Sequence, residues 1–171
     1  MSRHLILDSH LDLGFSALQI NRDLTQPATT IRTHDPLDVL DNFGSCTVSL
    51  PELRRGGVGI VCATVMSRLD PGDRATRTGM YTQAQTHGVG RGHLAYYQAL
   101  ERLGHVEMIH TSQQLDDVET RWREALNRDE CPGNPIGIIL SMESADPILG
   151  PDQVPEWHAL GLRMVSLSHY G

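Results

Sequence analysis

With 171 residues, 39% of them apolar and 20% charged, the chain has the size and composition of one soluble globular domain. A formal net charge of −7 excludes a basic nucleic-acid-binding surface, and no stretch approaches the roughly 20 apolar residues of a membrane span. Cys46, Cys62 and Cys131 are odd in number and lack CxxC spacing, so they read as reduced thiols. With no apolar signal segment behind Met1, that predicts a cytoplasmic protein.

In chain order, the apolar run before Asp8 predicts a first strand at Leu5–Asp8, extending as far as His10. Residues 20–47 are polar and rich in Pro, Asp and Thr, and read as an excursion with little regular structure. Ser49 with Glu52 three residues on predicts a capping box for a short helix, which Gly56-Gly57 ends. Val58 to Met66 is a β-branched, apolar run suited to a strand buried on both faces. Residues 67–92 hold six glycines or prolines and read as a long surface loop.

Leu94, Tyr97, Leu100 and Leu103 then recur at a spacing of three, predicting an amphipathic helix that stops at Gly104. A short apolar step at Val106–Ile109 precedes a second long helix, with Thr111 as N-cap, Gln114 as its return partner, and Leu115, Val118, Trp122 and Leu126 on one face. Ile136–Met142 is the third strand, ending in Glu143. A short helix after Pro151, through Trp157 and Leu160, stops at Gly161. The fourth strand is Arg163–Ser168, with His169 at its end. Alternation of strand and helix predicts a parallel α/β sheet.

Functional groups of such sheets collect at the carboxyl ends of the strands. Here those ends carry His10 and Asp12, Glu143, and His169. Residues two apart on a strand share a face, so His10 and Asp12 can bind one ion if strand geometry persists to residue 12. Imidazole with carboxylates suits zinc or another divalent transition metal. Nine histidines are present, and the other seven (His4, His34, His87, His93, His105, His110 and His158) do not fall at matching strand ends and read as solvated or structural.

Four blocks together resemble the membrane dipeptidase (renal dipeptidase) family. "LDSHLDL" is similar to its first-strand signature D-G-H-N-D, and "SLPELRRGGVGIVCATVMS" to its short helix, Gly-Gly and buried strand. "GIILSMESADPIL" resembles the block around I-E-G, and "WHALGLRMVSLSHYG" the block Y-x-L-G-V-R-x-x-T-L-T-H. The resemblance implies a zinc-dependent, amidohydrolase-type (β/α)8 barrel of which residues 1–171 form the N-terminal half, a single domain with four β/α units. It implies that His10 and Asp12 bind a first metal, that Glu143 bridges two, and that His169 contacts the substrate carbonyl or tetrahedral intermediate. A bridging hydroxide would attack the peptide carbonyl of a dipeptide or the amide of an N-acyl amino acid.

The sequence departs from the pattern at Ser9 (usually Gly), Leu11 (usually Asn), Ser144 (Gly after the Glu) and the final "SLSHYG", which suggests a bacterial side branch; no ligand is lost. Length is the larger departure, because a complete barrel needs about 250 residues. The complete site would take two zinc ions, with the second ion's remaining ligands on later strands. These 171 residues offer one three-ligand site, are expected to hold at most one zinc and to be inactive alone, and leave open sheet edges that would favour a homo-oligomer. Other readings are a related amidohydrolase acting on another acyl substrate such as a lactone, a non-catalytic half-barrel binding module, and a metal-free α/β binding protein.

Overall fold

A computed structural model of the chain describes residues 4–70, 72, 79–128 and 130–169. The first strand, β1, runs Ile6–Leu11 and leads into helix α1 at Leu13–Leu18, with Asp12 as its N-cap. The strand starts one residue later than expected and runs one residue past His10, stopping before Asp12. Helices α2 (Ala28–Arg32) and α3 (Leu37–Phe43) follow, each entered from a proline N-cap. They correct the expectation of an excursion with little regular structure. Buried Ile31 and Val39 anchor them, and the Arg22 guanidinium grips the Asp35 carboxylate through two hydrogen bonds of 3.0 and 2.9 Å. Tertiary anchoring of this kind overrides weak local propensity.

Helix α4 spans Leu50–Gly56 and ends at Gly57, whose left-handed φ of 76° gives the glycine C-cap expected. Its N-terminus is a correction. Ser49 is the N-cap, but its hydroxyl is buried with no hydrogen bond, and Glu52 turns instead to the Ala28 amide and Arg55. Strand β2, Val58–Met66, has the bounds predicted from its apolar run and is buried at all but its first residue. Two residue pairs, β3 (Arg68–Leu69) and β4 (Gly79–Met80), form a small parallel ladder of their own.

Helix α5, Gln83–Arg102, begins well inside the expected loop of residues 67–92; residues 71 and 73–78 of that loop lie outside the described residues. Its glycines argued against a helix, yet Thr82 and Gln85 close a capping box. Thr86 donates to the Asp146 carbonyl, and a Cβ on Gly90 would lie 2.8 Å from Pro147. Gly90 lets this helix approach the chain after Glu143. Leu94, Tyr97 and Leu100 are buried as expected, whereas Leu103 is the C-cap and is exposed.

Strand β5, Val106–Met108, and helix α6, Ser112–Arg128, come next, with Thr111 and Gln114 bonded to each other's backbone amides as predicted. Strand β6, Ile136–Glu143, helix α7, Val154–Ala159, and strand β7, Leu162–Ser166, complete the chain, with Trp157 of α7 fully buried. The last strand starts one residue early and stops short of Leu167 and Ser168.

All pairings in the main sheet are parallel. β1 pairs β2, and β2 pairs β6 without a break from Ile60↔Gly137 to Met66↔Glu143. β5 pairs residues 136–138 of β6 and β7 pairs residues 140–143, so the two share the edge of β6 that β2 leaves free. The expected alternation of four strands thus becomes a five-stranded sheet, because the short apolar step at 106 joins it. The sheet does not close. β1 lies at one side with Ile6 and Leu7 exposed, and β7 at the other with Met164 and Val165 exposed. No helix of the described residues is long and apolar enough to cross a membrane.

Glycines in the two central strands set how closely α6 can lie on the sheet. A Cβ on Gly59 would sit 2.4 Å from Trp122 and 2.6 Å from Leu5, and one on Gly137 would sit 2.8 Å from Ile109 and Val118. Trp122, fully buried, fills that space and donates its indole N–H to the Pro135 carbonyl at 2.8 Å. Gly59→Ala is expected to overpack this face and lower the unfolding free energy by about 1–3 kcal/mol. Urea denaturation measures it; an unchanged midpoint would contradict the packing described.

Candidate metal centre

Along the carboxyl edge of the sheet the strands stand in the order β1, β2, β6, β7, and each carries a polar group there. β1 delivers His10 and, one step past its end, Asp12. β2 delivers Thr64, β6 Glu143, and the segment after β7 His169. His10 Nε2 lies 3.2 Å from Glu143 Oε2 and 3.7 Å from Asp12 Oδ1, and one ligand atom from each of the three lies within 4.8 Å of the other two. This is the one group of three or more His, Cys, Asp or Glu among the described residues that is close enough to hold an ion. The His169 ring takes the other Glu143 oxygen, with Nε2 2.7 Å from Oε1.

Local structure explains how the donors are aimed. The Asp8 carboxylate accepts the His10 backbone N–H at 3.0 Å, which fixes the chain at the point where the ligand strand ends. The Thr64 hydroxyl donates to Asp12 Oδ1. Ser144, directly after Glu143, is buried with φ at +75°, the left-handed region where glycine is unstrained. Serine in place of the usual glycine here is thus met as strain beside the central carboxylate, while the Ser144 hydroxyl accepts the Asp146 N–H at 3.3 Å.

The donor set fits a divalent ion. Bonds of about 2.0–2.2 Å to nitrogen and oxygen place ligand atoms of a tetrahedral ion about 3.4 Å apart, close to the two spacings around His10 Nε2. Glu143 Oε2 is buried and makes no hydrogen bond, although His10 faces it. A buried carboxylate oxygen left without a donor is costly, and a shared cation removes that cost. One neutral imidazole with two carboxylates is a hard-to-borderline set that suits zinc.

Two cavities open at the donors, one of about 240 Å³ beside His10 and Asp12 and one over Glu143. A cleft of about 310 Å³ opens over the site, lined by His10, Thr64, Glu143, Val165, Ser168 and His169 among others. A larger cavity of about 640 Å³ lies over the α2–α3 excursion, bounded by Arg22, Asp35 and Val39, and touches neither the three donors nor His169. The donors, not the larger volume, locate the chemistry.

Behind the site lies a buried layer that sequence reasoning did not assign. Tyr97 and His93, one turn apart on α5 and both fully buried, face α1 and β2. The Gly14 N–H donates to the Tyr97 hydroxyl at 2.8 Å, which in turn donates to the Thr64 carbonyl at 2.7 Å. His93 Nδ1 accepts the Met66 N–H at 3.2 Å, so its proton sits on Nε2, 2.8 Å from the Gln19 amide oxygen. His93 is thus a structural histidine, and none of the seven histidines set aside above belongs to the donor group. The signal for Thr64 was a lone polar letter in an apolar strand; Tyr97 carried no signal beyond its helical spacing.

Burial pushes the His93 imidazole down to about 4, against a smaller opposing pull from the Asp12 charge. The folded-state value is below the ordinary one, so the unfolded chain binds the extra proton first. The contribution is fully present above about pH 6.5 and is lost as the pH falls towards 4, about 3 kcal/mol in all. Urea unfolding at stepped pH should therefore show a loss in the native chain larger by that amount than in His93→Gln. Parallel pH profiles for the two would contradict the buried neutral imidazole.

An open parallel α/β sheet, with a His, Asp and Glu donor group at its carboxyl edge, defines the class of this protein. The model of the membrane dipeptidase family (peptidase family M19) matches residues 1–171, and the chain belongs to that family. Solved structures share the fold, among them two that match this chain over most of its length. One is the dipeptidase AC, described as a metallopeptidase of family M19, at 18% identity and a TM-score of 0.57, over 96% of this chain and 44% of that one. The other is the probable dipeptidase PvdM from Pseudomonas aeruginosa, at 16% identity and a TM-score of 0.60, over 99% of this chain and 36% of that one. The chain therefore spans less than half the length of either structure. A search of curated proteins found no match.

Proposed function

We propose that this chain carries the first-metal half of a zinc-dependent dipeptidase site, with His10, Asp12 and Glu143 as ligands and His169 as a substrate contact. The observation that carries the reading is the meeting of those three donors from β1 and β6 around one point, with a buried Glu143 oxygen lacking any hydrogen bond. Membership of a family described as a dipeptidase supports the reaction class.

When bound, zinc would polarise the scissile carbonyl and supply a nucleophile near neutral pH. The chain's own groups do the rest. His10 offers Nε2 while its backbone is held by Asp8, and Asp12 is oriented by Thr64. Glu143, with a side chain only 17% exposed, presents one oxygen towards His10 and the other towards His169, and would hold the ion through the oxygen that faces His10. The His169 side chain, 14% exposed, lines the cleft over Glu143; its Nε2 is held by Glu143 Oε1, and would turn to a carbonyl oxygen of a bound dipeptide or N-acyl amino acid once an ion takes that carboxylate.

Elemental analysis after dialysis against zinc tests the reading. One tightly held zinc per chain is expected, falling below about a tenth in His10→Ala and in Glu143→Ala, since loss of a direct ligand from a three-ligand site leaves too few donors. Undiminished zinc in Glu143→Ala, or two tight zinc ions per native chain, would overturn it.

A further inference from the structure

We propose that Thr64 is the positioning residue for Asp12, holding its carboxylate in the metal-binding orientation. The inference rests on the metal reading above and concerns this chain's own residues. Asp12 sits at a loose point: β1 has ended, the residue is the N-cap of α1 with φ −84° and ψ 54°, and its side chain caps no amide of that helix. Its side chain is 40% exposed. A carboxylate so placed would ordinarily sample several rotamers and bind solvent. The Thr64 hydroxyl, on a residue that is fully buried, instead donates to Oδ1, the same oxygen that lies 3.7 Å from His10 Nε2.

Thr64 is itself fixed. It is paired with Ser141 across the β2–β6 ladder, and its carbonyl accepts the Tyr97 hydroxyl. The same Tyr97 oxygen accepts the amide of Gly14, two residues beyond Asp12. Asp12 is therefore tied to β2 at two points, through its own carboxylate and through the backbone that follows it. The room around Gly14 is closed, since a Cβ there would come within 2.9 Å of His93. Thr64 lines the cleft without being one of the three donors, and Tyr97 lies fully buried behind it, which separates this device from the ligands themselves. Partners that orient a ligand in this way are commonly worth 10–100-fold in metal affinity.

Zinc titration of the purified chain, by competition with a chromophoric chelator, tests the role alongside thermal unfolding of the metal-free protein. Thr64→Val should weaken zinc binding about 10–100-fold, while Thr64→Ser, which keeps the hydroxyl, stays within about threefold of the native chain. Thr64→Ala serves in place of Val if the latter does not fold. Native affinity in Thr64→Val or Thr64→Ala overturns the proposal, as does an equal loss in Thr64→Ser, which would mark a packing effect. A native chain that takes up no zinc at all removes the metal reading as well, so the two failures are distinct.

Discussion

The unbroken register between β2 and β6 is the constraint on which the rest of the structure depends. From Ile60↔Gly137 to Met66↔Glu143 the two strands advance together with no bulge, so the carboxyl end of one fixes the height of the other. β1 then docks on the free edge of β2, with shifts that bring Leu11 opposite Ala63, and His10 arrives at the level of Glu143. A slip of one residue would reverse every side chain's face. It would turn Thr64 away from Asp12 and Glu143 away from His10. Burial on both faces makes such a slip expensive, because nearly the whole of β2 and alternate residues of β6 are packed in the core.

Around that register the polar groups are placed in pairs that answer one another. Asp12 and Glu143 would repel if brought together alone; His10 lies between them, and His169 takes the far oxygen of Glu143. The layer beneath consists of neutral groups. His93 is held uncharged by burial, and burial likewise raises the Tyr97 phenol well above its ordinary range, so both serve as fixed hydrogen-bonding groups at neutral pH. Charge is thus confined to the cleft, and rigidity is supplied from behind by α5. Within the donor group, the buried Glu143 Oε2 makes no hydrogen bond.

Much of this was legible in the residues because the governing signals are local. The bounds of β2 follow from nine residues with little polar interruption, the α6 cap from Thr111 and Gln114, and the strand-end donors from His10, Asp12 and Glu143 standing where apolar runs stop. What escaped is non-local. The first half of α5 looked like a loop because its glycines lower helix propensity, yet one of them, Gly90, admits Pro147. The helices of residues 28–43 depend on the Arg22–Asp35 pair, thirteen residues apart in the chain. Ser49 and Glu52 have the spacing of a capping box and do not form one, since Ala28 and Arg55 compete for the carboxylate. Thr64 and Tyr97 act across 33 and 52 residues of separation, beyond the reach of any spacing rule.

The central claim is that one imidazole and two carboxylates from the ends of two strands share an ion. X-ray absorption on the zinc-loaded chain tests it most directly. The account predicts a first shell of nitrogen and oxygen at about 2.0–2.2 Å with the outer-shell signature of one imidazole, and loss of that signature in His10→Ala. A sulfur shell near 2.3 Å, or an imidazole signature that survives His10→Ala, would contradict it.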